Sequence, residues 1–205
     1  MGITPPYRIE TERLVLRCWE PDDAPLMKEA VDSSIEHLLP WMPWARDEPQ
    51  TLEQKIELVE SFRSSFLAGE NFTYGIFPAS EAELLGGTGL HPRVGPGGLE
   101  IGYWVRASAT RQGIVTESTA ALTRAGFEVC EADRVEIRIE PRNEASFGVP
   151  RKLGFVEEAT LRRRLPGREG GPLRDVTIFT MFREDCDPGI APRIRAFDAR
   201  GEQLL

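Results

Sequence analysis

The chain is poor in cysteine and histidine. Cys18, Cys130 and Cys186 are odd in number and far apart, with no CxxC spacing, so they read as reduced thiols rather than a disulfide framework. His37 and His91 are the only histidines, which leaves almost no material for a histidine-based zinc site, and no metal is expected. No apolar run approaches the roughly 18 residues that a membrane span needs, so no membrane partner is expected. The opening MGITPPYRIE lacks the basic flank and apolar stretch of a signal peptide, and Pro6 stands where a myristoylation pattern requires Ser or Thr. The cytoplasm is the expected location. Positive charge is also in deficit: 33 acidic residues against 25 basic give a net charge of −8, which argues against a nucleic-acid backbone as partner. There is no GxxxxGK[ST], and no GxGxxG opens a helix, which excludes a P-loop nucleotidase and a dinucleotide fold.

At 205 residues, 40% of them hydrophobic, the chain suits a single domain spanning 1–205 that buries its own core. Arg13–Trp19 alternates as a first strand, and a helical region follows from about Pro21 to Leu39, where PWMPW breaks it. A second helix covers Thr51–Ala68, with Leu52, Ile56, Val59, Phe62 and Phe66 on one face. Strands are expected at Phe72–Phe77, Leu84–Leu90 and Leu99–Val105, then a helix at Gln112–Ala132 and a strand at Val135–Glu140. A short helix at Ala145–Leu153 precedes a hairpin of Phe155–Leu165 and Leu173–Phe182. The tail, 186–205, has the makings of a small hairpin around Arg200-Gly201. Strands and helices are mixed rather than strictly alternating, which predicts an α+β fold with a mixed sheet.

The stretch EIGYWVRASATRQGIVTE, Glu100–Glu117, runs from a strand through a glycine-bearing turn into a helix. Gly113 permits a backbone approach that a side chain would forbid. The first-turn amides from about Gln112 to Thr116 are then unpaired, and the helix dipole adds partial positive charge, an arrangement suited to a phosphate-bearing ligand. Arg111 puts a mobile charge at the rim. The plainer reading is a strand–helix turn with a surface arginine. A second stretch, Asn143 to Phe155, has an Asn cap, a Ser one turn on, and a closing Leu-Gly-Phe, which define a short helix ending on a left-handed glycine.

Together the two stretches resemble the GCN5-related N-acetyltransferase (GNAT) superfamily, whose members show [QR]xxGx[GA] at the pyrophosphate turn and NxxSxxxxxxLGF beyond the next strand. ETERLVLR, LLPWMPW and EIGYWV are similar to the RimJ/RimL subgroup, which acetylates N-termini of ribosomal proteins. The resemblance covers about residues 10–185. Thr110 and Val115 depart from the pattern, and Val115 crowds the phosphates unless its side chain turns into the core.

The resemblance implies a mixed, mostly antiparallel sheet of six to seven strands flanked by about four helices, splayed where a pantetheine arm enters. Acetyl-CoA is the implied cosubstrate and a primary amine the acceptor, attacked directly in a ternary complex. Trp104, Val105 and Arg106 would bond the arm, with the Val105 N–H on the thioester carbonyl. Arg111, Gln112, Gly113, Ile114, Val115 and Thr116 would hold the diphosphate. Asn143 would bond the pantetheine or phosphate region, and Ser146 would face the departing sulfur. The acceptor is expected to be a protein N-terminus. A small-molecule amine (polyamine, amino acid or aminoglycoside) and a non-catalytic acyl-CoA-binding regulatory domain are the alternatives.

Period-two alternation puts Glu100, Gly102 and Trp104 on one strand face and Leu99, Ile101, Tyr103 and Val105 on the other. Glu100 is the candidate base if its face looks into the acceptor groove, and a structural carboxylate otherwise. Tyr103 meets the sulfur if the faces are reversed. Trp41, Met42, Pro43 and Trp44 either wall the substrate or cap the core. His37 reads as a polar surface residue, and His91 has no assigned role. Pro150 cannot donate to the Ser146 carbonyl, which is expected to be left for water or ligand. Arg162, Arg163, Arg164 and Arg168 read as a solvated hairpin or a subunit contact. A homodimer paired through the terminal hairpin stays open.

Overall fold

A computed structural model describes residues 4–191 and 193–205. Met1–Ile3, part of the segment read for targeting signals, and Pro192 lie outside the described residues. Nine strands form one sheet in the order β7-β8-β6-β5-β4-β3-β2-β1-β9. The strands are β1 (Arg8–Glu10), β2 (Leu14–Cys18), β3 (Phe72–Pro78), β4 (Gly86–His91), β5 (Gly98–Val105), β6 (Arg134–Ile139), β7 (Val156–Leu165), β8 (Arg174–Phe182) and β9 (Arg195–Phe197). All neighbours are antiparallel except β5 and β6. The helices are α1 (Ala24–Asp32), α2 (Ile35–Leu38), α3 (Leu52–Leu67), α4 (Ile114–Glu128) and α5 (Glu144–Leu153).

Alternation along the strands supplies two buried layers. Leu14, Leu16, Ile76, Leu99, Ile101, Val135 and Ile137 pack with Ala121, Leu122 and Ala125 of α4. Val15 and Phe77 turn the other way, where Trp19 packs with Met27, Ala30 and Val31 of α1 and Val59 of α3. α3 begins on a capping box: the Thr51 hydroxyl accepts from the Gln54 amide and the Gln54 side chain from the Thr51 amide.

The sheet exceeds the expected six to seven strands because β1 and β9, each three residues long, are too short to show a period. The tail does fold back, with Phe197 bridging to Gln203, but its strand β9 extends the main sheet beside β1. The helical region at 21–39 is not continuous. It opens on a 3-10 turn and breaks at Ser33-Ser34, where the Ser34 hydroxyl accepts the Ala107 amide at 2.9 Å and the Ser33 hydroxyl donates to the Ala30 carbonyl at 3.2 Å. These side-chain bonds compete with the helical ladder.

Candidate functional site

β5 and β6 pair only from Gly98↔Arg134 to Glu100↔Glu136, yet β5 continues to Val105 and β6 to Ile139. Beyond Glu100 the two strands part. The Arg106 amide donates to the Leu85 carbonyl of the β4 side, so alternation turns the amides of Val105 and Tyr103 toward the open side. Past β5 the chain makes a 3-10 turn at Ala107–Ala109 and passes through two left-handed residues, Arg111 (φ 61°) and Gly113 (φ 78°), before α4. A Cβ on Gly113 would meet only Arg13 Nη2 at 3.5 Å, so glycine is favoured there by its dihedral and not by space.

The first helical bond of α4 runs from the Glu117 amide to the Gly113 carbonyl at 2.9 Å, leaving the Ile114, Val115 and Thr116 amides before it. Two residues that sequence reasoning missed hold this turn from outside. Arg13 donates to Glu117 Oε2 at 2.7 Å and to the Gln112 carbonyl at 3.2 Å, while the Thr11 hydroxyl reaches Glu117 Oε1 at 2.5 Å. The first-turn acid is thereby compensated away from the free amides.

A cavity of about 710 Å³ joins these parts. Of the residues singled out in the sequence, Tyr103, Trp104, Val105, Arg111, Gly113, Ile114, Val115, Thr116, Asn143, Ser146 and Trp41 line it. His37, Met42, Thr110 and Lys152 also line it. Lys152 went unnoticed, although it lies six residues beyond Ser146 on the same short helix and adds a second cationic residue to the lining that Arg111 shares. Val115 is half-buried and among the residues lining the cavity.

Four candidates lie elsewhere. Glu100 is buried outside the cavity, and its carboxylate takes Arg93 Nε at 3.0 Å and Nη2 at 2.6 Å, with Arg138 at 3.8 Å. Its place before the strands part favours the structural reading over the base. The Arg106 side chain is buried the other way, toward α1, where it meets Glu29 at 2.6 Å, Glu83 at 3.2 Å and the Leu84 carbonyl. With its amide bonded to Leu85 and its side chain turned toward α1, Arg106 does not line the cavity where a pantetheine arm would run. The Gln112 side chain folds back on the Ser108 carbonyl at 2.9 Å and does not line the cavity. Trp44 stands behind, edge-on to Trp104 with ring centroids 5.7 Å apart.

The Ser146 carbonyl is not left for water or ligand. The Tyr103 hydroxyl donates to it at 3.3 Å across the gap between β5 and α5, and the Asn143 side chain caps the same helix at the Ser146 amide. Burial raises the Tyr103 pKa well above the ordinary phenol value, so it stays a neutral donor. On the opposite sheet face, burial and Arg93 push His91 down to about 4, against the pull of Glu100. Its Nδ1 donates to Asn71 Oδ1 at 2.5 Å. Among the described residues no three His, Cys, Asp or Glu side chains are grouped to hold a metal, and no helix is long and apolar enough to cross a membrane.

Comparison with known proteins fits this geometry. Residues 13–156 match the family model described as Acetyltransferase (GNAT) domain. YdaF of Bacillus subtilis (strain 168), provisionally named a ribosomal N-acetyltransferase, is 28% identical over 178 residues, covering 86% of this chain and 94% of the relative. The [ribosomal protein uS5]-alanine N-acetyltransferase of Escherichia coli (strain K12) is 25% identical over 192 residues, covering 90% and 95%. Mycobacterium smegmatis RimJ, solved in complex with CoA-disulfide, superposes with a TM-score of 0.76 at 24% identity, covering 90% of this chain and 91% of that one.

Proposed function

Because the chain belongs to the GNAT acetyltransferase family and is an N-acetyltransferase, we propose that it moves an acetyl group from acetyl-CoA to a protein N-terminal α-amine of the ribosomal-protein type. The observation that carries this reading is the parting of β5 from β6 directly beside the unpaired α4 amides, with one cavity reaching both. The diphosphate would sit on the amides of Gly113–Thr116, with Arg111 and Lys152 as mobile counter-charges. The pantetheine arm would run along the open edge of β5.

In the reaction, the neutral amine attacks the thioester carbonyl and its oxygen becomes an oxyanion. The Val105 N–H, facing the gap, would stabilise it, a donor worth about 3–4 kcal/mol. The C–S bond then breaks, the Ser146 hydroxyl would donate a hydrogen bond to the departing thiolate, a weak base near neutral pH, and the nitrogen gives up its proton to water. The Tyr103 bond to the Ser146 carbonyl and the Asn143 cap hold that serine in place. An α-amine titrating near 8 is roughly a tenth neutral at pH 7, whereas a lysine near 10.4 is well under a thousandth neutral. An N-terminus therefore asks little of a base, which suits a cavity without Glu100.

Thiol release from acetyl-CoA, measured against an amine panel and combined with mass spectrometry of the products, tests the reading. Acetylated peptide N-termini are expected. Binding of acetyl-CoA without release for any amine would instead support a non-catalytic domain.

A further inference from the structure

Trp41 borders two cavities. Besides the large one, it lines a second of about 60 Å³, a partly open space between the 39–46 loop and the tip of the β7–β8 hairpin. Among the described side chains, the charged residues lining this smaller space are Arg46, Arg168 and Arg174, with no carboxylate among those described. Arg168 and Arg174 both reach back to one buried acid, Glu140, at the end of β6. Arg168 Nη2 meets its Oε2 at 2.5 Å, and Arg174 bonds the same oxygen. Arg168 also lies over the Trp41 ring, 5.4 Å from its centroid. Arg46 is exposed and has no side-chain bond among the described residues.

Among the described side chains, three guanidinium groups against one carboxylate leave a local positive excess on a chain whose net charge is −8. Like charges brought together repel, and a site meant only for a cationic amine would gain nothing from them. The guanidinium fork matches a carboxylate in two parallel bonds. The space equals that of about two waters in the liquid, room for two carboxylate oxygens. We infer that the smaller cavity receives a carboxylate carried by the amine acceptor. The acceptor would then span Trp41, with its amine in the large cavity and its acid against Arg46. This inference rests on the acyl-transfer reading above and narrows its acceptor.

The carboxylate has two sources, an acidic residue close to a peptide N-terminus or the acid group of a small amino acid. The experiment measures kcat and KM at saturating acetyl-CoA for peptides beginning Ala-Glu, Ala-Gln and Ala-Lys, and for lysine against cadaverine, which lacks the carboxylate. The carboxylate-bearing member of at least one set is expected to be favoured by about tenfold in kcat/KM, mainly through KM, with the Ala-Lys peptide poorest. The set that shows the preference identifies the source. Arg46→Gln, at an exposed position where folding is not at stake, should bring the ratio near one. Equal use of charged and neutral acceptors by the wild type, or a preference that survives Arg46→Gln, would overturn the inference and leave the acyl-transfer reading standing. Acetyl-CoA bound but no acceptor acetylated would sink both.

Discussion

Glu100 shows what a residue's neighbours decide. The sequence puts it on the same strand face as Trp104, and the structure agrees, but its partner Arg93 comes from the far side of the β4–β5 turn. That pairing depends on how the turn curls, which no local pattern records. Glu100→Gln is expected to lower stability while leaving the pH–rate profile unchanged. Loss of the low-pH limb in the variant's profile would restore the base. The two signatures at Gly113 and Asn143 were legible because backbone needs select residue types there: a left-handed turn and a helix cap. Tyr103 meeting the carbonyl that Pro150 leaves open was not legible, since the two lie 43 residues apart in the chain.

The long periodic elements were readable, α3 and the seven longer strands almost to their ends, because burial imposes their pattern. The short ones were not. β1 and β9 exist by virtue of the neighbour they pair with, and the break after α1 by virtue of Ser34 meeting Ala107. The 39–50 loop bearing Trp41 was recognised, but not what fastens it. Lys55 of α3 and Glu48 form an ion pair almost wholly removed from solvent. Breaking such a pair leaves a buried charge unmatched, so Lys55→Met alone should cost about 3–5 kcal/mol, and pairing it with Glu48→Leu should recover most of that. Urea denaturation of the two variants checks this. A single variant as stable as the wild type would show that the pair does not secure the loop.

Across the whole molecule, pH acts through His91 at the end of β4, half-buried, neutral and depressed to about 4 from an ordinary 6.5. An unfolded chain binds that proton between those values and the folded chain does not. Stability from this group is therefore fully present above pH 6.5 and is lost as pH falls toward 4, with a slope of at most about 1.4 kcal/mol per pH unit. His91→Gln should remove that part of the slope, read from the difference in melting temperature between variant and wild type across this range. On the proposed function an acidic chain would hold an anionic cosubstrate because backbone amides at one helix start and a parted pair of strands do locally what net charge opposes. Hydrogen exchange of the amides from Gly113 to Thr116 and of Val105, with and without saturating acetyl-CoA, tests this most directly. Strong protection at both places on binding is predicted; acetyl-CoA that binds and leaves both exchanging at their free rates would contradict it.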